Sequence, residues 1–153
     1  MVRIFISLAL VLVLVALAIM SIGGNPLWLV NLPTLLIVGV LPFLAVSTVL
    51  GFARMRSAFS AAVNRDGDIS QLEPALVFFR AFGRAVNAAG LIGLVAGLVL
   101  ILAGLDDPLL IGPNVAMALM SLFYGGLVHL AVIIPFTAMI KNRIAESNDR
   151  ELP

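Results

Sequence analysis

The sequence predicts an all-α integral membrane protein, a four-helix chain arranged as two helical hairpins with both termini on the cytoplasmic side. Three observations predict it: overall hydropathy, the segregation of charge, and the length of the uncharged runs. Hydrophobic residues make up 62% of the chain and its mean hydropathy is +1.18, whereas a soluble domain averages roughly 45–50% apolar residues. The nine Lys and Arg and the eight Asp and Glu are confined to a few short stretches. Between them lie runs close to the roughly 20 residues that a bilayer-spanning helix needs. A net charge of +1 leaves no basic excess for nucleic acid, and the absence of Cys removes disulfides and thiolate metal sites from consideration.

The first run covers 4–22 and the second 27–52, with Gly23, Gly24, Asn25 and Pro26 as a tight turn between them. A signal-peptide reading competes for the first run, because Arg3 supplies a charged start and Ser21, Ile22 and Gly23 a tolerable cleavage site. Its apolar stretch would exceed the usual length of about 7 to 15 residues. The third run, 85–105, and the fourth, 111–140, are joined through Asp106, Asp107 and Pro108 into a second hairpin. Residues 53–84 form a loop and 141–153 a tail, so 1–153 reads as a single membrane domain.

Positive charge orients these spans. Arg54, Arg56, Arg65, Arg80 and Arg84 lie between spans two and three, Lys141, Arg143 and Arg150 follow span four, and neither hairpin turn holds Lys or Arg. The loop and the termini are therefore expected in the cytoplasm and both turns outside. Asp106 and Asp107 then sit outside, either favouring the positive end of span four or forming an acidic ring that gathers cations. Within the loop, 64–68 invites comparison with a calcium-binding loop. The comparison fails because the positions that need Gly and Glu hold Ile69 and Ala75, which leaves a solvated turn. Glu73 and Pro74 mark a helix start, so span three begins in the cytoplasm near Pro74 and carries Arg80 and Arg84 on its wet end.

Ala89, Gly93 and Gly97 recur every fourth residue beside Gly90, and Ser121 and Gly125 repeat that spacing in span four. Small residues so placed let helices approach closely, within a bundle or an oligomer; the plainer alternative is that Gly is common in membrane helices. A phosphate-binding glycine loop is set aside, since no strand precedes these glycines. Polar residues at depth are Asn31, Asn87, Ser121, Tyr124 and His129, and the spans contain no carboxylate or Lys. An ion path would therefore take its essential carboxylate from another polypeptide. His129 is either an interfacial hydrogen-bonding residue or a proton relay. With no nucleophile and base, no ligand cluster and no carboxylate pair in the spans, neither an enzyme nor a metal or cofactor is expected.

From Phe78 to about Lys141 the chain resembles the MotA/TolQ/ExbB proton-channel family. The resemblance lies in Phe79-Arg-Ala-Phe-Gly-Arg84 leading into Gly90-Leu-Ile-Gly93, then Leu105-Asp-Asp-Pro108 and Ile111-Gly-Pro113, then Ala116-Met-Ala-Leu119, Tyr124-Gly125 and Pro135. The two-hairpin arrangement is similar to the flagellar-stator branch. The resemblance implies a pentamer packed through spans three and four around a dimer of a single-span partner whose membrane Asp carries the ion. It also implies a bacterial cytoplasmic (inner) membrane location. The channel-lining or partner-facing positions would be Asn87, Leu94, Ser121, Leu122 and His129, with Ala89, Gly90, Gly93, Gly97, Gly125 and Pro135 in helix packing. Relatives often carry Thr at the positions of Leu94 and Leu122 and Pro at Asn87, so this chain lacks two hydroxyls there. His129, seven residues after Leu122, lies on nearly the same helix face and could substitute in part. The implied function is the channel-forming subunit of a stator-like complex moving protons or sodium. Its rival is a non-conducting membrane scaffold on the same bundle.

Overall fold

The computed structural model of the chain describes residues 2–63 and 69–151, and all regular structure among them is helical. The expected solvated turn at 64–68 lies outside the described residues. Helix α1, Val2–Ser21, has 20 residues and so measures about 30 Å, the thickness of a hydrocarbon core. It ends where Gly23 adopts a φ of 78°, which only Gly takes without strain. There Gly23 N donates to Met20 O at 3.0 Å and Gly24 N to Ile19 O at 2.9 Å, closing the last carbonyls of α1.

The second apolar run, expected as one span over 27–52, is divided. A 3₁₀ turn, Pro26–Leu29, comes first, and α2 begins only at Leu32. Asn31 caps α2 by accepting from Thr34 N at 3.1 Å, and Pro33 occupies the first turn, where its missing N–H costs nothing. Helix α2, Leu32–Leu35, a π turn, Leu36–Val40, and α3, Leu41–Leu50, together make one apolar span of 19 residues. Gly51, again at φ 78°, ends it.

Much of the stretch expected as a loop is helical among the described residues. Helix α4, Phe52–Val63, buries Met55, Ala58, Ala61 and Ala62, and α5 runs over Leu72–Ala103, starting two residues before the expected Pro74. At 32 residues, α5 is about 48 Å long, well beyond a hydrocarbon core of about 30 Å, so its first turns project out of the bilayer. Helix α6, Pro108–Val128, a second π turn, His129–Ile133, and α7, Ile134–Glu151, complete the chain. Asp107 caps α6 by accepting from Leu109 N at 3.0 Å.

Both π turns stop two residues short of a proline, Val40 before Pro42 and Ile133 before Pro135. A proline ring collides with the carbonyl four residues back and removes its donor, at about 3 kcal/mol or more in a regular helix. A widened turn lets that carbonyl move aside.

Among the described residues three stretches, Leu32–Leu50, Ile69–Ala103 and Pro108–Ser147, are long and apolar enough to cross a membrane, alongside the apolar α1. The chain is a multi-pass membrane protein. Where α5 leaves the bilayer, an aromatic core ties it to α4 and α7. Phe79 is fully buried and stacks on Phe136 with ring centroids 5.0 Å apart, and Phe59 meets Phe78 and Phe79 edge-on at 5.6 and 5.2 Å. Arg143 Nη1 donates to Ala61 O at 2.8 Å, satisfying a carbonyl in the last turn of α4.

Candidate functional site

The small residues of α5 and α6 meet each other within one chain. A Cβ on Gly97 would stand 2.6 Å from Ala118 Cβ and 2.8 Å from the Ala118 Cα and N. One on Gly93 would stand 2.6 Å from Ser121 Cβ, and one on Gly90 3.3 Å from Ser121 O. Ala89 is buried beside them. Gly125 is looser, with Val86 O at 3.9 Å from its would-be Cβ. Of the two uses expected of this seam, within a bundle or between copies, the chain's own helices take the first. Ser121 belongs to it too. It is fully buried and donates to Met117 O at 2.8 Å, so its hydroxyl does not line a path.

Beside the seam runs an exposed flank. On α5 it carries Arg80, Arg84, Asn87, Leu91, Val95, Leu98 and Leu102, with Leu94 half-buried at its edge. On α6 it carries Leu119, Leu122 and Gly126, followed by Leu130 in the second π turn. Leu122 is 45% exposed. His129 shares Leu122's helix azimuth by spacing but is half-buried. Its ring lies against Gly83, where a Cβ would come within 3.3 Å of Nε2, so it is glycine that leaves the imidazole room. His129 Nδ1 lies 3.3 Å from Gly125 O. That pairing assigns the proton to Nδ1 in the neutral ring and leaves Nε2 as an acceptor.

Sequence reasoning named Asn31 and Tyr124 without a role, and the structure supplies one. Tyr124 OH donates to Leu29 O and accepts from Asn31 N at 3.1 Å. Asn31 Oδ1 also accepts from Thr34 Oγ1 at 2.9 Å, and that hydroxyl lies 3.5 Å from Met117 O. Non-helical backbone at membrane depth has to be satisfied by protein, and Tyr124 does this where the chain breaks before α2. The signal was the Asn31, Pro33 pair of helix-start residues. Tyr124→Phe should lower stability by about 1–3 kcal/mol by leaving part-buried backbone groups unpaired. Thermal unfolding in mild detergent measures this, and an unchanged midpoint would refute it.

Meeting Thr34 at Met117 places the start of the second span nine residues into α6, about 13 Å from Pro108. The turn between α1 and α2 is therefore recessed by about two helical turns relative to the one between α5 and α6.

These features define a polytopic helical membrane protein with a tightly packed helix pair and an exposed apolar flank. The chain belongs to the MotA/TolQ/ExbB proton channel family, whose model matches residues 46–151. It is 40% identical over 73 residues to chemotaxis protein PomA of Vibrio alginolyticus, covering 48% of this chain and 27% of that protein. It is 40% identical over 65 residues to the uncharacterized protein YtxD of Bacillus subtilis (strain 168), covering 42% and 24%. To motility protein A of Aquifex aeolicus (strain VF5) it is 35% identical over 65 residues, covering 42% and 24%. The match thus spans about a quarter of the length of these curated relatives.

Proposed function

We propose that the chain is the channel-forming subunit of a small stator-like complex driven by proton or sodium motive force in the bacterial cytoplasmic membrane. Five copies surround a dimer of a single-span partner, and the partner's membrane Asp carries the ion. The supporting observation is the exposed flank of α5 and α6, which extends from Arg80 through apolar turns to Leu102 and from Leu119 to Leu130. The membrane part of that flank has no carboxylate of its own, so an ion crossing there requires one from a partner. In this reading His129, half-buried against Gly83 beside the flank, passes protons toward the end where Arg80 and Arg84 lie.

The rival reading, a non-conducting scaffold, is favoured by Leu122, whose exposed isobutyl group would make a dry ring at the middle of the path. Flux in proteoliposomes separates the two. The chain alone should be closed, and the chain with a single-span partner encoded beside it should conduct. His129→Gln keeps hydrogen bonding but cannot titrate between about pH 5 and 8. It should assemble with the partner and lose flux. Full flux in that variant would make His129 structural, and no flux with any partner would leave the scaffold.

A further inference from the structure

A second feature lies at the other end of the spans, between α3–α4 and the first turns of α5. A cavity of about 390 Å³ there is lined by Leu50, Arg54, Ser57, Gln71, Val77 and Phe78. Its depth follows from α5. Counting back from Gly104 at 1.5 Å per residue, a hydrocarbon core of about 30 Å ends near Arg84, and the turns of α5 before it run into the headgroup layer. Phe78 lies about 9 Å beyond Arg84 along α5, and Leu50, where the apolar span Leu32–Leu50 ends, lines the same cavity, which therefore sits in the headgroup layer.

The lining is divided chemically. Leu50, Val77 and Phe78 form an apolar wall continuous with the spans, while Arg54 and Gln71 bring donors to the rim. Ser57 Oγ donates to Arg54 O at 2.8 Å, so its proton is used. Among the described residues the Arg54 guanidinium has no acidic partner, and Glu73, the nearest carboxylate on α5, does not line the cavity.

We propose that this cavity binds an anionic phospholipid. Arg54 and Gln71 hold its phosphate, and the beginning of an acyl chain lies against Leu50, Val77 and Phe78. A guanidinium in the headgroup layer attracts anionic lipid and makes charge-assisted hydrogen bonds to phosphate oxygens. The apolar wall would be wasted on a free anion. The site is independent of whether the assembled complex conducts.

The test uses the full chain in nanodiscs of phosphatidylcholine with a graded fraction of phosphatidylglycerol, with retained lipid read by native mass spectrometry. Arg56 is the control, because two positions along α4 turn it about 200° away from Arg54 and it does not line the cavity. Wild type and Arg56→Gln should retain phosphatidylglycerol, and Arg54→Gln should lose it at least fivefold. Equal loss in both variants would reduce the effect to a diffuse basic belt and overturn the site. Retention of phosphatidylcholine as strong as that of phosphatidylglycerol would overturn the role of charge. Displacement of bound phosphatidylglycerol by millimolar inorganic phosphate would mark a soluble-anion site instead and overturn the lipid.

Discussion

Gly97→Leu is expected to leave little folded protein. The would-be Cβ meets Ala118 backbone atoms at 2.8 Å, and backbone cannot rotate out of the way as a side-chain end can. The helices must separate, and separation at Gly97 also opens the neighbouring contacts of Gly93 and Gly90 with Ser121. A small overpacking costs about 1–3 kcal/mol, the range expected for Gly97→Ala. Leucine adds three more carbons, against a total stability of only about 5–15 kcal/mol. Fluorescence-detected size exclusion and thermal unfolding would show it. Gly126→Leu is the matched control, since a Cβ there meets nothing within 4 Å. A Gly97→Leu variant melting with wild type would show that the seam is not tight.

Phe79→Ala should cost about 3–5 kcal/mol, as large truncations of fully buried aromatics do. The side chain is 0% exposed and touches Phe59, Phe78 and Phe136 at centroid distances of 5.2, 5.2 and 5.0 Å. These rings are the principal packing that holds α4 and α7 on the projecting turns of α5. The loss should therefore be local, freeing α4 before the spans separate. Limited proteolysis should show faster cleavage within 52–63 while the spans remain protected. Wild-type cleavage rates would mean that α4 is held by something other than this cluster.

The spans were legible because lipid imposes one simple demand, a long uncharged run, and the runs ending near Ile22, Leu105 and Ile140 carry it plainly. The seam was legible as a spacing, but not its partner: Gly93 and Ser121 have the same pattern whether they meet within a chain or between chains. Helix α4 was hidden because Arg54, Arg56, Ser57 and Ser60 depress its hydropathy, while its buried stripe consists mostly of alanines, which periodicity weights lightly. The spacing of Met55, Ala58 and Ala62 would have revealed it. The π turns were not legible because they depend on how each proline's preceding carbonyl relaxes against its neighbours. The azimuth of His129 could be read from its distance to Leu122, but its half-burial depends on Gly83, 46 positions earlier in the chain and adjacent only in space.

The recessed turn between α1 and α2 has a consequence for the lipid around the subunit. Trp28 at that turn is 72% exposed, and indole rings seek the interface, yet Tyr124 tethers the adjoining backbone well below the level of Pro108. A leaflet that follows this turn bends toward it, at a cost of fractions of a kcal/mol per ångström of mismatch. Two such chains sharing one bent patch would deform less membrane than two that each make their own, a bilayer term that would favour their association without any side-chain contact.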